Sequence, residues 1–401
     1  MARTKLAGEA VAAVEGAPAT WRPRAALALL MGYFLLFGVT VGGQGVLWAD
    51  IKSALALSDG VFGTSQIVSP MLGVAFLLFG APVIALLGKK RLALAGLLVL
   101  GLSSLVLAAA DGLWPFVGAL VLTGLGFGSV ELVMNSATLD WEQVTGRNVM
   151  NLMHAGFSGG AVVGSLAAGA LLQWGWAYAA VLALLAALCG VAFAATIPVR
   201  FPPADPSPGA GSGPAAALRL LTSRGALMLL ALLGLLGVIG ESVAGTWSVI
   251  YLRSLGAEAF VGGTAYALFN GTMFAGRLLN QPLVARLGTR ASLVVSGAIL
   301  VVSGALLMLP AQLWLAVLAF ALVGLGVAGV VPTVLSAAAR YAPGSSGAVT
   351  GGIMAICYLG FVVCAPLVGW LAELFSLQAA LLSVGVSGLL VLLLVRAVPR
   401  G

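Results

Sequence analysis

Along this chain apolar residues run in long stretches, and polar residues gather in the short segments between them. A hydrocarbon core about 30 Å thick is crossed by about 20 helical residues at 1.5 Å of rise each, so each stretch predicts a transmembrane helix. Twelve such spans follow, at 26–48, 61–87, 92–110, 114–138, 150–173, 177–197, 226–251, 260–285, 291–309, 313–337, 347–371 and 377–395. Six fall on each side of Pro198 to Gly225, a segment rich in proline, glycine and serine. Such a composition stays extended or flexible and predicts a linker, whose tail from Ala215 to Arg224 has the makings of a short interfacial helix.

The pattern also repeats. ALVLTGLGFGSVELVMNSA, from Ala119 to Ala137, aligns without a gap on AFALVGLGVAGVVPTVLSA, from Ala319 to Ala337. APVIALLGKK, from Ala81 to Lys90, aligns on QPLVARLGTR, from Gln281 to Arg290, at the same offset, and a fainter echo joins Gly160, Val162, Val163 and Gly169 to Gly360, Val362, Val363 and Gly369. Landmarks in one register predict two structural repeats, a plan that lets two bundles rock about a site between them. The expected organisation is therefore all-α and integral to the membrane, with twelve transmembrane helices in two pseudo-symmetric six-helix bundles. The bundles are expected at 26–197 and 226–395, joined by a cytoplasmic linker at 198–225 and flanked by cytoplasmic tails at 1–25 and 396–401.

Composition agrees: 61% of residues are hydrophobic and 8% charged, a balance unsuited to a soluble domain. The formal charge of +7 raises nucleic acid as a partner, but the placement of the cations removes that reading. Arg3, Lys5, Arg22, Arg24, Lys89, Lys90, Arg91, Arg147, Arg200, Arg219, Arg224, Arg286, Arg290, Arg340, Arg396 and Arg400 lie in termini or even-to-odd loops, against only Lys52 and Arg253 in the opposite loops. The positive-inside rule then puts both termini in the cytoplasm. Cys189, Cys357 and Cys364 lie within spans at spacings that make neither a zinc site nor a disulfide framework. With one histidine, no Walker loop and no dinucleotide fingerprint, neither a metal nor a cofactor is expected.

Ionisable residues at membrane depth are costly and so are candidates for function. Glu131 in span four and His154 in span five lie at similar depth on antiparallel neighbours, with Asn135 four residues from the glutamate and Asn151 and Ser158 flanking the histidine. If these faces converge, carboxylate and imidazole together are suited to carrying a proton; otherwise they form a structural pair pinning two helices. The repeat places Val331 opposite Glu131, so this carboxylate belongs to one half only. In the second half Tyr266, Asn270, Arg277 and Gln281 recur at helical spacing along span eight, and Glu241, Gly245 and Ser248 along span seven. Arg277 either meets an anionic group of a substrate or pairs with an acidic residue or carbonyls near the cytoplasmic end, since a long side chain close to a helix end can snorkel. Span one presents Tyr33, Phe37, Thr40, Gln44 and Trp48 on one face, and span seven adds Trp247; aromatic rings stack on sugars but also fill cores and anchor at interfaces.

Twelve spans, a central linker and a basic turn after span two repeated after span eight resemble the major facilitator superfamily over nearly the whole chain. The turn is degenerate: Ala85 and Ala285 stand where the family usually has an acidic residue, while Gly88, Lys89, Lys90, Gly288 and Arg290 keep its remainder. GFGSVELVMNSATLDWEQVTGRNVMNLMHAGFSGGAVVGSL, from Gly126 to Leu166, with GESVAGTWSVIYLR, from Gly240 to Arg253, resembles a bacterial inner-membrane branch near the fucose permeases. That resemblance implies sugar-proton symport, a part in proton coupling for Glu131, and a place lining the sugar site for His154. It departs at Gly45, beside Gln44, where those symporters carry an aspartate. The expectation is a monomeric inner-membrane secondary transporter taking up a small polar solute with protons. A proton-driven exporter of drugs or amphiphiles is the first alternative, disfavoured because span five lacks the Gly-Pro pair usual in antiporters, and a ligand sensor that does not transport is the second. An enzyme is least expected, since no nucleophile, base and orienting group occur together.

Overall fold

The computed structural model describes residues 21–202, 219, 221–310, 312–341 and 346–398, without the side chains of 77, 81, 151, 339 and 346–348. Most of the expected N-terminal tail, most of the linker and the last residues of the C-terminal tail lie outside the described residues; of the linker's expected helix, 221–223 is helical.

The chain is helical almost throughout. Span one is α1 (Pro23–Ala54), and span two is a bent pair, α2 (Asp59–Ser65) and α3 (Val68–Leu87). Spans three to seven are α4 (Lys89–Ala108), α5 (Leu113–Thr145), α6 (Met150–Gln173), α7 (Tyr178–Thr196) and α8 (Gly225–Ser254). A single 50-residue element, α9 (Ala259–Met308), contains spans eight and nine, broken where Gly288 leaves helical geometry. Span ten is α10 (Leu313–Val327) with α11 (Val330–Tyr341), span eleven is α12 (Ser346–Leu374), and span twelve is α13 (Leu377–Ala380) with α14 (Leu382–Leu394). Among the described residues ten helices are long and apolar enough to cross a membrane, eleven with the bent pair, and the break in α9 makes this consistent with twelve spans.

The repeat read in the sequence is present in the backbone. Gly88 and Gly288 both turn the chain at positive φ, 76° and 82°, a conformation glycine adopts without a side-chain penalty. Both follow a helix with an internal proline, Pro82 and Pro282. Packing repeats as well: Gly124 faces Ser69 and Leu72, while Gly324 faces their counterparts Phe269 and Thr272. Ser69 Oγ donates to the Leu120 carbonyl and Thr272 Oγ1 to the Ala321 carbonyl, each at 2.7 Å. The turn between α5 and α6 is closed by Gly146 at φ 67°, while Glu142 Oε1 accepts from the amides of Val149 (2.5 Å) and Met150 (2.7 Å), satisfying donors that a helix start leaves free.

The apolar core is arranged unequally along the membrane normal. At the end carrying the odd-to-even loops, here the far end, one cluster runs through both halves and includes Trp48, Phe62, Phe116, Trp247, Tyr251 and Phe320. Towards the other end the core divides into one cluster from Trp21 to Cys189 and another from Leu221 to Val398, each confined to its own half.

Two seams close the far end, and they are related by the repeat. On one, α6 meets α9: a Cβ at Gly263 would lie 2.6 Å from the Ser165 carbonyl oxygen, and one at Gly169 would lie 3.1 Å from that of Ala259. On the other, α2 meets α12, with Gly63 against Ala365 and Gly369 against Asp59. Small residues allow this approach of backbones. Polar ties follow the same symmetry: Gln173 Nε2 donates to Glu258 Oε2 (2.9 Å), and at the equivalent place the Gly60 amide donates to Glu373 Oε1 (2.9 Å). Trp370 Nε1 donates to Thr64 Oγ1 (3.1 Å), and between the seams Arg253 pairs with Asp50 at 3.4 Å.

Candidate functional site

Glu131 lies in the middle of α5, where the surrounding sequence is apolar and the helix bonds are complete, so the carboxylate must find its partner on another element. It finds one across the molecule: the Tyr358 hydroxyl on α12 donates to Glu131 Oε1 at 2.8 Å, a hydrogen bond joining the two halves. Tyr358 packs edge-on against Phe361, and its ring is the nearest group to Gly73 on α3. Asn135 Nδ2 turns back to the Glu131 carbonyl (2.9 Å), leaving the glutamate side chain to Tyr358.

A second set of polar groups faces this pair. Glu241 on α8 lies within electrostatic reach of Tyr358, Tyr266 and Arg277, and Arg277 on α9 reaches both Glu241 and His154. Glu131, Glu241, Arg277 and Tyr358 are all part-buried, whereas His154 is exposed. Five ionisable side chains from five spans and both halves are thus linked through their charges, and Glu131 and Tyr358 also through a hydrogen bond. Arg277 Nη2 donates to Met273 Sδ on its own helix at 3.5 Å.

Other candidates are placed differently. His154 packs edge-on against Phe34, ring centroids 5.2 Å apart, and the hydrogen-bond partner of Glu131 is Tyr358 rather than this histidine. Ser158 Oγ is occupied by the His154 carbonyl (3.2 Å), and the side chain of Asn151 lies outside the described residues. Tyr33 is buried within the first half and bonds Thr196 Oγ1 at 2.6 Å, while Phe37 packs edge-on against Phe127 at 4.6 Å. Trp48 is core rather than an interface anchor, edge-on to Phe62 and Phe116. Tyr266 is buried, stacks on Phe269 and covers Gly45; a side chain at 45 would run into its ring, which accounts locally for glycine there. Asn270 Nδ2 returns to the Tyr266 carbonyl at 2.9 Å. Gln44 Nε2 and Trp247 Nε1 are buried donors without a protein acceptor.

Tyr358 was not legible as a candidate, because one tyrosine in an apolar helix reads as core. The repeat offered a signal, since Tyr358 is the counterpart of Ser158. No cluster of three or more metal-ligating side chains occurs among the described residues. Two surface pockets, of about 630 and 460 Å³, lie elsewhere: one beside Trp21, Trp141 and Arg147, the other at the far end beside Asp50, Trp176 and Arg253.

Two repeated six-helix bundles, sharing a core at one end only and joined further along by the part-buried Glu131–Tyr358 bond, define a membrane transporter of the rocking-bundle type. The chain belongs to the Major Facilitator Superfamily, whose family model matches residues 29–361 and 249–401. Membrane protein MosC of Rhizobium meliloti is 24% identical over 362 residues, covering 89% of this chain and 86% of that protein. The uncharacterized transporter y4wD of Sinorhizobium fredii is 29% identical over 386 residues, covering 90% and 95%. Among solved structures, the nucleoside transporter NupG superposes with a TM-score of 0.80 at 13% identity (94% of this chain, 100% of that one). The E. coli fucose:proton symporter FucP does so at 0.61 and 14% (93% and 98%). A bacterial homologue of the lysosomal transporter Spinster, inward-facing and occupied, gives 0.76 and 14% (95% and 97%). At these identities the likeness is one of fold. The protein is a multi-pass membrane transporter, not an enzyme.

Proposed function

We propose that this transporter takes up a small, neutral, hydroxyl-bearing solute such as a sugar together with protons, across the inner membrane, with both termini in the cytoplasm. The observation that carries the reading is Glu131, a mid-membrane carboxylate without a counterpart in its repeat and bonded across the halves to Tyr358. A group that exchanges a proton must sit where both bundles feel its charge, and this one does. Supporting it, FucP, of the same fold, is a fucose:proton symporter and NupG a nucleoside transporter. A neutral solute is consistent with the opposite charges of Glu241 and Arg277, which act on each other without an ion pair among the described residues. The free donor of Gln44 calls for an acceptor oxygen, which a sugar supplies.

The closed far end and divided core correspond to the inward-facing stage of alternating access in this reading, with the solute leaving towards the termini. A thermal-shift screen of neutral sugars, nucleosides, organic acids and cationic drugs identifies the class. Vesicles with an imposed pH gradient then test coupling: wild type should concentrate the solute so identified, and Glu131→Gln should not, since an amide keeps hydrogen bonding but releases no proton. Accumulation by Glu131→Gln at the wild-type rate would end the assignment and turn attention to Glu241.

A further inference from the structure

We infer that Tyr358 is the positioning residue through which the second bundle reads the charge state of Glu131. The inference rests on the assignment of Glu131 as the proton-exchanging group. The bond is the mid-membrane tie between α5 and α12, and the two helices belong to different halves. A phenol donating to an ionised carboxylate makes a charge-assisted hydrogen bond, about twice as strong as one to a neutral acceptor. When Glu131 takes up a proton the tie weakens, and the energy that holds α12 against α5 falls with it. No group in the first half needs to move for the second half to respond.

The remaining charged groups allow this assignment. Glu131 is faced from α12 by Tyr358, whose hydroxyl also lies within reach of Glu241 on α8. The charge of Arg277 on α9 acts on Glu241 and on His154 on α6 without an ion pair to either among the described residues. At the junction of α3 and α4, also packed against α5, Lys89 is engaged by Asp140 and the Ser136 carbonyl. Tyr33 on α1 is held by Thr196. Tyr358 is therefore the direct bonding partner of Glu131, and the other charges act at one remove.

The tie exists in the state whose far end is closed, which fixes the sign of the effect. Ionised Glu131 favours the far-closed state, and protonation favours opening. Spin labels on Asp111→Cys and Gln312→Cys, exposed far-end positions of opposite halves, report opening as a longer distance, and the three native cysteines are buried. Full-length protein in lipid vesicles without solute would be measured across pH for wild type, Tyr358→Phe, Tyr358→Gln and Glu131→Gln. The wild-type open-to-closed ratio should rise about tenfold on acidification, the scale of one charge-assisted bond against a neutral one. Tyr358→Phe should flatten that response, and Tyr358→Gln should restore part of it by supplying another donor. Tyr358→Phe combined with Glu131→Gln should do no more than either substitution alone.

A full pH response in Tyr358→Phe together with a flat one in Glu131→Gln overturns the role of Tyr358 and leaves Glu131 in place. A full response in Glu131→Gln overturns the assignment of Glu131 itself. Should Tyr358→Phe fail to insert, Tyr358→Leu, which also lacks a donor, takes its place: a flat response supports the inference and a full one refutes it.

Discussion

Gly263 offers the sharpest test that the far end opens. A methyl group added there would lie 2.6 Å from the Ser165 carbonyl oxygen and 3.0 Å from the Gly169 Cα, both backbone atoms that cannot swing aside. Gly263→Ala must therefore push α9 from α6. Overpacking of this kind costs about 1–3 kcal/mol. The gain in helix propensity from glycine to alanine, up to about 1 kcal/mol, acts in every state in which α9 is helical and cancels from an equilibrium between them. If the seam parts when the far end opens, the whole steric cost falls on the closed state, and the open-to-closed ratio should rise about 5- to 150-fold. Distances between labels at positions 111 and 312 would show it. Gly126→Ala is the matched control: its methyl would lie 2.8 Å from the Leu100 amide nitrogen, within one half, so it should lower the melting temperature without shifting the distances. Gly159→Ala, with open space around it, should change neither. If Gly263→Ala lowered stability like Gly126→Ala and left the distances unchanged, the seam would be permanent and the reading of the far end wrong.

Other outcomes follow from the same geometry. Arg253→Ala removes a part-exposed ion pair to Asp50, worth at most about 1 kcal/mol, so the far end should open no more than about fivefold, and less in high salt. Lys89→Met removes the ammonium that pairs with Asp140, both side chains being 13% exposed; stability should fall by about 3 kcal/mol, with no change in far-end distances because both residues belong to one half. A cysteine at Asp111 should react with an impermeant reagent from outside the cell and one at Arg147 should not, which checks the orientation drawn from the basic loops.

Much of this architecture is visible in the sequence because lipid leaves little freedom. Span lengths follow from bilayer thickness, and all twelve expected spans have helical counterparts, including the pair joined through Gly288. The repeat was legible because Gly88 and Gly288 hold the same backbone turn and Gly124 and Gly324 the same close approach. What periodicity does not carry is how one bundle docks on the other. Glu131 and His154 lie on consecutive helices and were expected at matching depth, yet the carboxylate is bonded to a residue 227 positions away. Gln173 with Glu258, and Glu373 with the Gly60 amide, are similarly invisible, since each looks like an ordinary loop residue until the halves are apposed. Tyr33, Phe37 and Trp48 share a helical face in span one, but that face is long enough to serve two clusters, and these three side chains are packing residues.

Proton-driven accumulation by Glu131→Gln tests the central claim most directly. In vesicles with an imposed pH gradient, using the neutral solute selected by thermal shift, wild type should accumulate it above equilibrium. Glu131→Gln should equilibrate it and no more, while retaining binding and part of the counterflow. Accumulation by the variant to the wild-type level, at the wild-type rate, would contradict the account.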